Sequence, residues 1–430
     1  MNRIILIGNG FDLAHKMKTS YNNFIDDYWE NEILKMNEKQ DKSRYENDMF
    51  SITKKPYTWV GENTYENLLI NLNIIQSGIN FKNKFLEIIS SKKGIENWVD
   101  IENEYYTQLK NTYLNPQFSV YGRKVVELND DFNQIKLKLV DYLKQIEHEF
   151  NENKGANIYE LKKAIGNIIY EPFNLKDFTE ASKNSKIELE YNLIKKDIED
   201  LKNDPPSVFN ELNDYKKTLI SKVGIDNPLE NLSKFKKNDD AHHYIDLIPD
   251  NILFLNFNYT STHLAYNNPI NFDQIYDNKK SKVKSINIHG HLENINNPVI
   301  FGFGDELDEE YKQIEKLNNN KYLENIKSIN YLETNNYKEL LDFISSSSFQ
   351  VFIFGHSCGL SDRTLLNTIF EHDNCASIKL FYHKKDIDND NYSDIVRNIS
   401  RNFNDKAKMR DRVVNKNYCK PLYYNGVERI

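Results

Sequence analysis

Residues 3–21 read RIILIGNGFDLAHKMKTSY, and the segment 4–10 decides the fold. Ile4 to Ile7 is an unbroken aliphatic run that meets Gly8-Asn9-Gly10 at once. A strand buried on both faces has no polar alternation, so a short continuous apolar run is how a central parallel strand reads. Glycines where such a strand ends let the chain turn sharply and let a ligand come close to the backbone. Working outward, ILFLNFNYT (252–260), VKSINIHG (283–290) and VFIFGHS (351–357) end in the same manner, each in Gly, Asn or His. A fifth run, SIKLFYH (377–383), follows the helix-like DRTLLNTIFEH. Parallel strands whose carboxyl ends converge on one site have this pattern.

Between residues 61 and 250 the apolar residues fall three or four apart, as in DFNQIKLKLVDYLKQIEHEF, so helices are expected there. The expected fold is α/β, a Rossmann-like parallel sheet core with helical insertions. Residues 1–60 and 245–390 would form the discontinuous core and 61–244 a mainly helical insertion. Residues 391–430 would be a C-terminal extension without a legible motif.

Composition narrows the function. A net charge of −8 gives no blanket attraction to nucleic acid or anionic lipid. No segment approaches the length of apolar run that a membrane span requires, and the chain opens on a strand rather than a signal-like stretch. The 3 cysteines lie far apart and form no CxxC pair, so neither a disulfide scaffold nor a cysteine zinc site is indicated. A cytoplasmic protein without a membrane partner is expected.

The candidate site residues sit at the strand ends. Gly8, Asn9 and Gly10 form a candidate phosphate turn, short of a full GxGxxG because Leu13 stands where the third glycine belongs. The alternative is a tight strand-to-helix turn with Asp12 capping the helix. A carboxylate at Asp12 would repel phosphate, yet would accept hydrogen bonds from ribose hydroxyls or hold a metal. Asn256 and Asn258 share one face of an extended strand, to grip a ligand or to pair with neighbouring backbone. His289 suits general acid–base chemistry, and Gly290 would let a flat ring or ribose sit close. His289 and His291 with His356 would be the alternative, a metal site. Gly355, His356, Ser357 and Asp362 belong to a candidate nucleotide-contacting turn, with Arg363 as its phosphate-binding cation. GHSCG also satisfies GxSxG, and a hydrolase triad would then need Asp362 with His372 or His383. Cys358 reads as buried. In NWVDIENEY, Trp98 and Glu102 share a helix face, where an acid would cap or pair with Arg or Lys, or reach the pocket floor as a third catalytic candidate. Asp305 and Glu306 follow another glycine turn where a lid would be reasonable.

ILIGNGFDLAHKMKTSYNNF, NWVDIENEY, FLNFNYTST, NIHGHL, FGFGDE and FIFGHSCGLSDRTLL resemble, in that order, the motifs of the bacterial abortive-infection AbiH family. That resemblance implies anti-phage defence, in which an infected cell stops growing or dies before phage is released. A more distant likeness is to the sirtuin-type NAD-binding domain that several defence NAD hydrolases carry. It implies that Gly8 and Gly10 form the dinucleotide turn and that Gly355 and Ser357 form the late nucleotide turn. It also implies that Asn258 holds the nicotinamide ribose and that His289 is the catalytic histidine. Phe11-Asp12 and Thr260 depart from that pattern, and the deacylases' zinc-binding cysteines are absent.

Three functions follow. The first is cleavage of the nicotinamide–ribose bond of NAD or a related nucleotide, with His289, Asn258, Asp12 and Glu102 as the catalytic candidates. The second is a metal-dependent nuclease using Asp12, His289, His291, Asp305 or Asp362. The third is a non-catalytic nucleotide-binding sensor. The first is adopted, with the nucleotide as substrate rather than cofactor and no metal site assigned. A phage-derived activator and a homo-oligomer are the expected protein partners, and nucleic acid is not favoured.

Overall fold

The computed structural model describes residues 1–38, 43–56, 58–92, 98–152, 157–203, 205–237, 241–243, 245–269, 272, 281–384, 386 and 389–422. Among the described residues nine strands are formed: β1 (Asn2–Ile7), β2 (Tyr45–Glu46), β3 (Phe50–Ile52), β4 (Ile79–Phe81), β5 (Asn251–Asn256), β6 (Lys282–Asn287), β7 (Phe349–Phe354), β8 (Cys375–Tyr382) and β9 (Lys420–Pro421). Six of them make one sheet in the order β6-β5-β1-β7-β8-β9, and every pairing in it is parallel. Renumbered by chain order within that sheet, this is 3-2-1-4-5-6, the Rossmann-like order. The switch point, where successive connections leave in opposite directions, lies between β1 and β7.

The aliphatic runs are continuous because both faces of the sheet are covered. Ile4 and Leu6 pack with Leu253, Val351 and Ile353 beneath helices Asn336–Ser346, Arg363–Phe370 and Tyr392–Asn402. Ile5 and Ile7 face the other way, into Phe254, Phe352 and helix Asn157–Tyr170. The extension past residue 390 thus contributes a covering helix, and β9 pairs with the edge of β8.

Two further cores flank the sheet. Helices Tyr21–Glu38, Tyr65–Ile74, Lys84–Ser91, Trp98–Leu114 and Val125–Glu152 bury a shared interior together with the small antiparallel sheet β2-β3-β4 and residues from 292–326. Helices Glu180–Asn203, Asp214–Val223 and Pro228–Lys234 bury another. The short strands lie in stretches where helices or core were expected. Phe50 and Ile52 alternate inward against Trp29 and Phe85, which the helical period alone does not reveal.

The turn after β1 packs backbone to backbone on the turn after β7. Gly8 N–H donates to Phe354 O at 3.0 Å and Gly10 N–H donates to Gly355 O at 2.9 Å. A Cβ on Gly355 would lie 2.1 Å from the Phe11 nitrogen, and Gly355 also has φ +67°. Gly355→Ala should therefore cost at least about 3 kcal/mol, since backbone must move as well as strain. Gly122→Ala, also at positive φ (+57°) but in open space, should cost only about 1–2 kcal/mol. Thermal unfolding of the two variants checks this; equal losses would mean that the close approach is not limiting.

Candidate functional site

Strand register sets the site. Asn287, Asn256, Ile7, Phe354 and Phe381 form one row across β6, β5, β1, β7 and β8. Two residues beyond that row stand His289, Asn258, Asn9, His356 and His383, and all five line one cavity of about 800 Å³. Gly8, Gly10, Asp12, Gly355, Ser357 and Asp362 line it too. So do Trp98, Glu102 and Leu143 from the helical layer and Lys327 from the segment after it.

Among the lining residues is a buried charge cluster. Lys327 Nζ lies 2.8 Å from Glu102 and 2.9 Å from Asp362 Oδ1. The same Asp362 oxygen is 3.1 Å from His289 Nε2. Burial alone would raise the Asp362 carboxyl, but Lys327 and His289 outweigh it and hold the group well below the usual range. Burial raises Glu102, Lys327 opposes that rise, and the Asp362 charge reinforces it. Burial would lower Lys327, but its two carboxylates prevail and keep it charged. Asp362 is the N-cap of helix Arg363–Phe370, yet its side chain makes no capping bond because it is engaged here.

Hydrogen bonds fix the imidazoles. His289 Nδ1 is 3.0 Å from Phe257 O, so Nδ1 carries a proton and Nε2 faces Asp362 and the Tyr331 hydroxyl at 3.1 Å. Neutral, the ring accepts from Tyr331; protonated, it donates to Asp362. His356 is the reverse: its Nδ1 accepts from Cys358 N–H at 2.9 Å, leaving Nε2–H turned to Asp362 at 3.7 Å. Burial pushes His356 down to about 4, which keeps it neutral at pH 7.

Asp12 lies within helix Asn9–Ala14 and does not cap it. Its Oδ2 accepts from Thr260 Oγ1 at 2.5 Å, while its buried Oδ1 has no hydrogen-bond partner among the described residues. Burial pushes its pKa up to about 6. Asn258 donates to Gly8 O at 3.0 Å and faces the cavity. Asn256 is fully buried, donating to Asn258 O, Thr260 O and Asn287 Oδ1, so its amide organises the loop.

Gly290, Asn256 and Arg363 do not line the cavity. Gly290, at φ +86°, packs on Pro298, and Arg363 pairs with Asp305 at 3.2 Å. The amides of Gly8 and Gly10 are already donated to the β7 turn, so what these glycines offer a ligand is room. His291 turns away to Ser261 and accepts from Glu293 N–H. Among the described residues no group of three or more His, Cys, Asp or Glu is placed to hold a metal ion. Of the partners a serine triad would need, His383 lines the cavity with Ser357, while Asp362 is engaged by Lys327 and His289. His372 packs on Phe349 at the opposite end of β7, and the His356 nitrogen nearest the turn is engaged by Cys358 N–H. Cys358 is buried in the core, and burial pushes its thiol up.

Lys327 and Tyr331 escape sequence reading, because nothing local marks them, while Thr260, marked only as a departure from the sirtuin-type pattern, proves to be the donor to Asp12. His383 had a usable signal: it follows its strand run by the same two residues as the others.

A family model for bacteriophage abortive infection AbiH matches residues 4–384, nearly the whole chain. The chain belongs to the AbiH family. Membership gives this AbiH chain a general role in antiviral defence. No curated protein and no solved structure matches it.

Asp12 links this site to stability. An acid whose pKa is raised on folding, from 3.8 to about 6, leaves stability untouched below pH 4. Above that the folded state holds the extra proton, so stability falls as pH rises and the full cost applies above pH 6. Asp12→Asn removes this cost. The variant should gain up to about 3 kcal/mol at pH 8 and nothing at pH 4. Thermal midpoints across that range check it; a gain independent of pH would refute the ionised-carboxylate account.

Proposed function

We propose that this AbiH protein acts in phage defence by hydrolysing the bond between nicotinamide and ribose in NAD or a related nucleotide. The observation that carries the reading is the company Asp12 keeps. A buried carboxylate with one oxygen unpartnered among the described residues shares one cavity with an amide, Asn258, and an imidazole, His289, at the switch point of a Rossmann-like sheet.

The chemistry asks for such a set. When the glycosidic bond breaks, its electron pair leaves on the nicotinamide nitrogen and positive charge develops on the ribose as an oxocarbenium ion. A preorganised carboxylate in a buried site stabilises that charge far more than water does. Asp12 supplies it and accepts a ribose hydroxyl; Asn258 orients the ring. Water adds to the ribose carbon, and its proton passes to His289 Nε2, where Asp362 stabilises the imidazolium that forms. Glu102 acts from behind Lys327. The side-chain-free floor of Gly8, Gly10 and Gly355 gives the phosphates space.

Purified protein incubated with NAD should release nicotinamide and ADP-ribose in equal amounts. His289→Ala and Asn258→Ala should each reduce release by about a hundredfold while remaining folded, and both should lose protection against phage plaques. Cys358→Ala should retain activity. RNA and DNA run alongside, with and without divalent metal, and phage-infected extract supplies any activator. Intact NAD in all conditions, or degraded RNA or DNA beside intact NAD, would overturn the reading.

A further inference from the structure

The FGFGDE turn at 301–306 lines no part of the cavity, yet its glycines are among the most crowded in the chain. A Cβ on Gly302 would lie 2.0 Å from Asn325 O, and one on Gly304 would lie 2.6 Å from Ser361 O and 3.3 Å from Lys327 Cβ. Phe303 N–H donates to Asn325 O at 3.1 Å and Lys327 N–H donates to Phe303 O at 2.8 Å, a short parallel bridge. On the other side Thr364 N–H donates to Gly304 O at 3.3 Å, and Asp305 pairs with Arg363. The turn is therefore a clamp. It holds the Asn325–Lys327 backbone on one flank and the Ser361–Thr364 backbone on the other, closer than side chains would allow.

What the clamp brings together is charge. Lys327 and His289 meet on the same oxygen, Asp362 Oδ1, at 2.9 and 3.1 Å, while Glu102 reaches Lys327 from the helical layer. Lys327, Glu102 and Asp362 are all buried, so solvent screens them much less than it would surface charges. We propose that Lys327, seated by the Gly302–Gly304 clamp, is a positioning residue: with Glu102 it sets how readily His289 gives up the proton it shares with Asp362. Glu102 comes from the helical layer and Asp362 from the sheet, so the charge state of His289 depends on how those two layers dock.

The groups facing His289 are Asp362, His356, Tyr331 and Tyr259, with Lys327 and Glu102 behind Asp362. His356 stays neutral, as argued above, and burial raises both tyrosines well above their ordinary range, so the two carboxylates and one lysine set the field. Removing the cation should favour the imidazolium; removing Glu102's charge should favour the neutral ring.

The inference rests on the reading that His289 handles a proton, so its test avoids substrate. Full-length protein carrying ring-labelled histidine is titrated by NMR, with His289→Gln assigning the resonance. In Lys327→Met the His289 titration should move to higher pH by about 1–3 units, and in Glu102→Gln it should move to lower pH. Lys327→Arg should restore the wild-type curve. A packing role alone would not produce shifts of opposite sign. Unmoved titrations in folded variants, or shifts of one sign in both, would overturn the proposal. If Lys327→Met does not fold, the isosteric Glu102→Gln decides by itself, and an unmoved curve overturns it. Failure of NAD cleavage would sink the functional reading while leaving this test interpretable.

Discussion

The backbone of Gly355 lies against the backbone of Gly8 to Phe11 more closely than any β-carbon would permit, and the site depends on that contact. It locks the turn after the first strand to the turn after the seventh, across the switch point of the sheet. With those turns joined, parallel register carries the remaining strand ends to the same level. Asn258, His289, His356 and His383 then arrive at one cavity two residues past a common row. A fold whose glycines served only flexibility would leave those turns apart and the cavity without a floor.

The charge cluster makes the opposite kind of demand. Burying two carboxylates and an ammonium carries a desolvation cost that their mutual attraction offsets only when geometry is good. Lys327 is fully enclosed and contacts both acids at under 3 Å, which meets that condition. An arrangement of this kind adds little net stability over an apolar core, so its use lies in fixing an electrostatic state. Asp12 stands apart from it, with neither a compensating cation nor a partner for one oxygen among the described residues. Two buried acids in one cavity are thus driven apart: Asp362 strongly acidic, Asp12 raised toward neutrality. The cation decides the difference: Asp362 has Lys327 and His289 beside it, whereas burial dominates at Asp12.

Below the sheet, Arg3 shows that burial of charge is not confined to the site. It donates to the carbonyls of Ile169 and Glu171 and stacks on Phe352 and Phe173, tying the amino end of the first strand to the helical segments. These contacts are structural and lie at the end of the strands away from the cavity.

The sequence by itself determined the sheet and most of the strand ends that line its cavity. The short apolar runs of β1, β5 and β7, stopped by polar or glycine residues, suit strands covered on both faces, while the β6 run ahead of His289 alternates. The glycine, asparagine and histidine endings therefore located Gly8, Asn258, His289 and His356 before any pairing was known. It also determined family membership through motifs spread along the chain. What only the tertiary structure decided was which of those residues face the cavity. Asn256 and Asn258 look alike in sequence, yet one amide is consumed by its loop and the other faces the cavity. Gly8 and Gly10 read as a phosphate turn, but their amides go to a neighbouring strand end more than 340 residues away. Lys327 had no local signal at all, because its importance comes from two carboxylates that lie 225 and 35 residues away in sequence. Periodicity reports which face of an element is buried, whereas hydrogen-bond and charge partners are set by distances between elements that sequence spacing does not encode.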